Sequence, residues 1–126
     1  MGCRQNVRRL SASFVEILLE EKGYPKDKIS VGRKLLIYDS KKTIKVNIFN
    51  DDPLVIGEVT TYLGSEEASR EIDKLLKRVR IAEDIYGRRA LLRILSVANA
   101  PRDVLGKLRE ESEKHEITLM VGKELQ

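Results

Sequence analysis

Leu10, Phe14, Ile17 and Leu18 recur at helical spacing, which predicts a first helix over about 7–22 with these residues as its apolar stripe. Gly23 suits the residue after a helix end, and Pro25 blocks continuation. Three short strands are expected next. The first covers 29–38 around Leu35, Leu36 and Ile37, and a polar turn follows at Asp39 to Lys42. The second covers 43–49, where Ile44, Val46 and Ile48 alternate with Lys45, Asn47 and Phe49 as in a half-buried strand. Asn50-Asp51-Asp52-Pro53 is turn chemistry, so a hairpin leads into a third strand over 54–62. Ser65 is a natural N-cap, and Glu66 and Glu67 suit the positive end of a helix dipole. That helix runs to about 86, with Ala68, Ile72, Leu75, Leu76, Val79 and Ala82 on its apolar face, and Gly87 stops it. Residues 91–98 form a nearly continuous apolar run broken by Arg93 and Ser96, which reads as a buried strand in a parallel pairing. Pro101 then opens a helix to about 114, with Val104, Leu105 and Leu108 inward, and 117–121 is a last short strand.

The expected order is therefore α-β-β-β-α-β followed by α-β, an α/β chain with a mixed sheet and helices on its faces. Its 126 residues suit one domain spanning 1–126, and 41% apolar with 35% charged residues describes a globular chain. No apolar run approaches the roughly 18 residues of a membrane span. The polar, basic start also lacks the apolar core of a secretory leader. One cysteine, Cys3, rules out an internal disulfide framework and fits a reducing cytoplasm. With a single histidine beside it, a zinc site rich in His and Cys is excluded. Met1-Gly2-Cys3 resembles a lipidation start, but Asn6 stands where a myristoylation signal needs Ser or Thr. The charge density, single Cys, absent Trp and few Gln suit a thermophile.

The net charge of +4 is unevenly placed. Residues 1–50 carry 11 basic and 5 acidic side chains, whereas residues 51–126 carry 13 and 15. A basic half fits a polyanion partner, and a mixed-charge surface is the plainer account.

The candidate chemistry lies in 45–60. Glu58 is an ionisable residue in an otherwise apolar strand, and charges are rarely placed there without a partner. Strand parity puts Glu58 and Thr60 on one face, and Lys45, Asn47 and Phe49 on one face of the preceding strand. The tight turn is expected to bring Asn47 near Glu58, toward an open end of the sheet. On this stretch and on its element order, the chain resembles the PD-(D/E)XK nuclease superfamily, in particular small archaeal proteins of restriction-endonuclease-like type. The resemblance implies an α-β-β-β-α-β core, an Asp on the second strand and an acid-x-Lys triplet on the third. Together these residues hold Mg²⁺ or Mn²⁺ for phosphodiester cleavage, often with a Glu from the first helix. Carried over, the acid of the triplet is Glu58, its lysine position is Thr60, and the Asp position is Asn47. Glu16 or Glu20 is the candidate helical carboxylate, and Asp52, beside Asp51 in the turn, is a further candidate ligand. Lys45 is the first candidate to replace the missing lysine. Lys74 is the second, although it lies opposite the apolar stripe and is expected to face solvent.

Two of three signature positions have thus lost charge that phosphoryl transfer uses. Glu58 also reads as a strand-end carboxylate paired with Lys45 or Arg33. Arg70, Lys74, Lys77 and Arg78 read as a solvated helix face or a phosphate-tracking one. His115 suits a helix C-terminus, and Arg88-Arg89 is a loop pair. There is no phosphate-binding glycine loop, nucleophile elbow or dinucleotide fingerprint. Three functions follow from these residues: a nuclease-fold protein with a degraded site, associated with nucleic acid or purely structural; an active metal-dependent nuclease using a rearranged site on Glu58; and an oligomerising scaffold without nucleic acid. The expected partners are DNA rather than RNA and a second copy of the chain, with no membrane and a cytoplasmic location.

Overall fold

Five strands build one mixed sheet in the computed structural model, which describes residues 3–125 and the side-chain surroundings of 6–122. They are β1 (Gly32–Tyr38), β2 (Lys42–Asn50), β3 (Val55–Tyr62), β4 (Leu92–Pro101) and β5 (Thr118–Leu125), adjacent in that order. The β1–β2 and β2–β3 pairs are antiparallel, and the β3–β4 and β4–β5 pairs are parallel. Parallel neighbours need crossovers, which α2 (Ser65–Tyr86) and α3 (Arg102–Lys114) supply on one face. Helix α1 (Cys3–Glu21) covers β3 and β4 on the other face, and a single 3-10 turn (Lys26–Lys28) leads into β1. The α/β class and element order agree with the pattern of the chain. The Met1-Gly2 start lies outside the described residues.

Sandwiched strands read as continuous apolar runs because both faces are covered. In β3, Ile56 faces the α2–α3 core, while Val55 and Val59 face α1. Helix α2 buries Ala68, Ile72, Leu75, Val79 and Ala82, and it ends at Gly87 in the left-handed region, whose N–H bonds the Glu83 carbonyl. Gly64, not Ser65, is its N-cap, with no side-chain capping bond.

Two elements depart from the expected pattern. In β2, Val46 pairs with Lys34 but Phe49 pairs with Gly32, so β2 carries one extra residue between them. This bulge resets strand parity. Val46 and Phe49 face α2, while Ile48 turns to α1. The expected alternation of Ile44, Val46 and Ile48 on one face therefore breaks after Val46.

The expected apolar stripe of α1 is also displaced. The buried residues are Ser11, Ala12, Val15 and Leu19, whereas Leu10, Phe14 and Ile17 are 73%, 45% and 50% exposed. Small residues let the helix lie close over β4. Ser11 Oγ sits 2.6 Å from Ser96 Oγ and donates to the Val7 carbonyl at 2.7 Å, satisfying the buried hydroxyls.

Gly57 occupies the α1 face of β3 between two isoleucines. A Cβ there would lie 2.9 Å from Ile94 Cβ and 3.0 Å from Ile48 Cβ, both rigid branched carbons. Gly57→Ala is therefore expected to destabilise the fold by about 1–3 kcal/mol through overpacking. Urea denaturation read by circular dichroism checks this, and an unchanged midpoint would show that β2 and β4 yield freely.

Candidate functional site around Glu58

Glu58 is the fourth residue of β3 and points toward α2. It lies mid-strand and only 2% exposed, not at an open end of the sheet. A carboxylate cannot be stripped of water without compensation. Two cations from successive turns of α2 provide it. Arg78 Nε lies 3.4 Å from Oε2, and Lys74 Nζ lies 3.9 Å from Oε1. Arg78 Nε also donates to the Lys45 carbonyl at 3.0 Å, and Lys74 is shared with Glu71 at 3.9 Å. Glu58 Oε2 accepts no hydrogen bond. Burial pushes the Glu58 carboxyl above its ordinary value. Arg78, Lys74 and a backbone hydrogen bond from Asn47 pull it down by less, and Glu71 adds to the rise. The pair is therefore electrostatically incomplete: desolvation outweighs the attraction of two cations.

Lys74 was expected in solvent, opposite the apolar stripe. Its long stem instead lets the ammonium lean back over the sheet, with the side chain 37% exposed. Arg78 is covered further, at 16%. Arg70 and Lys77 remain exposed, so the four-residue stripe is split. The expected partners of Glu58, Lys45 and Arg33, are both exposed, and Lys45 takes part through its carbonyl.

Asn47 lies in the bulge. Its Oδ1 accepts the Val59 N–H at 3.1 Å, a side-chain bond to β3 just beyond the last β2–β3 ladder pair, Ile48–Gly57. The neighbouring residue Thr60 shares the Glu58 face by parity and donates to the Tyr62 carbonyl at 3.1 Å. Glu16 belongs to α1, across the sheet from Glu58, and Glu20 is exposed on the same helix. Asp52 sits exposed in the β2–β3 turn, at least three strand residues or about 10 Å away along the chain direction. Asp51 beside it is paired with Arg88. His115 caps the end of α3 within 3.9 Å of Glu111 Oε1, as its place near a helix C-terminus implied. The structure thus brings Glu58, Lys74 and Arg78 together with the backbone of Lys45 and Asn47. It leaves Glu16, Glu20, Asp52 and the Lys45 ammonium apart. Among the described residues no three Asp, Glu, His or Cys side chains converge as a metal-binding group.

Asn50 escaped the reading of the chain. It is 1% exposed, its Oδ1 accepts the Ser30 N–H at 2.7 Å, and its amide donates to the Pro53 and Lys28 carbonyls at 2.8 and 3.1 Å. It ties the lead into β1 to the β2–β3 turn. In the sequence its only mark is the Asn-Asp-Asp-Pro run, which signals a turn but not the ties Asn50 makes across it.

Comparison with family models, with characterised proteins and with solved structures returns no match.

Removing one partner of a buried pair leaves the other charge uncompensated. Arg78→Ala is expected to cost about 3 kcal/mol at neutral pH, and Arg78→Met combined with Glu58→Leu to recover most of it. Urea titration of the three proteins checks this. If Arg78→Ala is neutral, Arg78 is not compensating Glu58.

The pH dependence follows from the raised carboxyl. A group whose folded pKa lies above its unfolded one contributes stability that is present in full below the unfolded value and is lost as pH rises through the folded one. The stability of wild type relative to Glu58→Gln is thus expected to fall as pH rises above the ordinary value of 4.5, then level off. Thermal melts of both proteins from acid to neutral pH measure the difference. A difference that grows with pH would place the carboxyl below its ordinary value.

Proposed function

We propose that this chain is a non-catalytic, nucleic-acid-associated module on a restriction-endonuclease-like scaffold. Support for the scaffold comes from the helix, the three antiparallel strands, and the crossover helix to a parallel fourth strand. The observation that carries the non-catalytic reading is the sealing of Glu58. The one acid left at the signature positions is buried between two cations that stand where a metal's charge would be needed. Mg²⁺ needs several hard oxygens around a hydrated ion. Here the Asn47 oxygen is engaged by Val59 and the Thr60 hydroxyl by Tyr62, while Glu16 lies across the sheet. These residues do not fit a Mg²⁺ or Mn²⁺ centre.

The nucleic-acid part rests on charge and exposure. Residues 26–50 carry seven basic and two acidic side chains, so the lead into the β1–β2 hairpin and the hairpin itself hold most of the basic excess. Arg33 and Lys45 are exposed there on β1 and β2, and Lys41 in the turn between them. An extended basic hairpin suits phosphate contact without reading bases.

Fluorescence anisotropy with labelled duplex DNA across a salt series tests this reading, beside a cleavage assay in Mg²⁺ and Mn²⁺. Weak binding is expected, with a log–log salt slope of about −0.9 per phosphate contact. Lys41→Ala with Lys45→Ala should lower that slope by about 2, as two contacts are lost. No binding at low salt would remove nucleic acid from the function. Cleavage that Glu58→Gln abolishes would make the protein an enzyme.

A further inference from the structure

We infer that the outward face of α1 is a self-association surface, on which two copies of this chain pair antiparallel about a two-fold axis near Ser13 and Phe14. Leu10, Phe14 and Ile17 stand at i, i+4 and i+7 on the side of α1 turned away from the sheet, and all three are exposed. Large apolar side chains scattered singly are ordinary; three in one helical row, spanning about 10 Å along α1, form a seam. A groove of about 320 Å³ continues that apolar surface between α1 and β5, lined by Leu10, Phe14, Val97, Ala98 and Met120.

The charges beside the seam select its occupant. At 100° per residue, Arg9, Ser13, Glu16 and Glu20 fall on one flank of the row, basic toward the N-terminus and acidic toward the C-terminus. About a two-fold axis perpendicular to the helices, each flank meets its own copy in reverse. With the axis near residues 13 and 14, Leu10 of one copy meets Ile17 of the other. Arg9 then lies opposite Glu16 and Glu20. A parallel pair, about an axis along the helices, would instead set this flank against the opposite one, where Val7, Ser11 and Leu18 offer no charge to pair with it. The same acids disfavour a polyanion on this face, and the seam is apolar where phosphate contact needs cations. The surface is therefore complementary to itself in one orientation.

Sedimentation velocity of the full chain over a concentration series tests this, with circular dichroism melts to confirm that each variant folds. Wild type is expected to dimerise reversibly. Phe14→Glu should raise the dimer dissociation constant about thirtyfold or more, because the central anchor is lost. Arg9→Glu alone, and Glu16→Arg with Glu20→Arg alone, should each be monomeric. Mixing these two variants should restore a one-to-one dimer, because every flank contact is then again between opposite charges. A monomer at all concentrations, a dimer indifferent to Phe14→Glu, or charge-reversed variants that do not pair when mixed would each overturn the assignment. If the monomer instead sediments with anionic or neutral vesicles, the seam belongs to a lipid surface and the proposal fails.

Discussion

A carboxylate held inside an apolar sheet constrains everything packed over it. Glu58 has strand neighbours on both sides, and among the described residues its compensation comes from α2 and from the backbone of β2. Arg78 answers both, because its Nε faces the carboxylate and also donates to the Lys45 carbonyl. Lys74, one turn earlier, covers the other oxygen. The rotation of α2 about its axis is thereby tied to β2 and β3 by charge as well as by Ile72, Leu75 and Val79. Apolar packing alone would tolerate small rotations of that helix. A buried charge with two fixed partners tolerates them poorly, because each ångström lost from an ion pair is lost at low dielectric.

The bulge in β2 belongs to the same constraint. With one extra residue before Phe49, the carbonyl of Lys45 remains within reach of Arg78 while Ile48 swings under α1 to fill the space beside Gly57. Asn47 carries the contact with β3 past the last ladder pair, Ile48–Gly57. An apolar side chain at position 47 would leave the Val59 N–H buried without a partner. Asn47, Gly57 and Glu58 are therefore three parts of one local solution, in which a tight apolar contact on one face stands back to back with a partly compensated charge on the other.

The element order was legible in the chain because it depends on period and punctuation: alternating strands, a helix stopped by Gly87, and a continuous apolar run in β4. The faces were less legible. Helix α1 carries two apolar rows, Leu10–Phe14–Ile17 and Ala12–Val15–Leu19, and periodicity cannot choose between them. Close approach to β4 chose the row with the smaller residues, helped by the Ser11–Ser96 contact. Parity failed in β2 because a bulge leaves no composition signal when the inserted residue is an ordinary polar one. Lys74 was misplaced because a helical wheel places Cα atoms, while a lysine ammonium sits several bonds farther out and follows the nearest carboxylate. Of the site, the anomaly of Glu58 was readable from sequence, and Lys74 stood as a second candidate beside it, but Arg78 was not singled out, since the partners lie about sixteen and twenty residues away on another element and only the fold selects them from the stripe.

The surfaces divide along the same lines. The α2 and α3 face is closed by its own helices. The α1 face is closed over β3 and β4 only, leaving the basic hairpin at one side and the apolar seam on the helix itself. These two surfaces differ in chemistry. The hairpin has dispersed cations on extended backbone, suited to a partner that is charged everywhere and specific nowhere. The seam has branched and aromatic carbons with paired opposite charges at its flank, suited to a partner of fixed shape. The two proposed contacts do not compete for surface, because they occupy different elements of the fold.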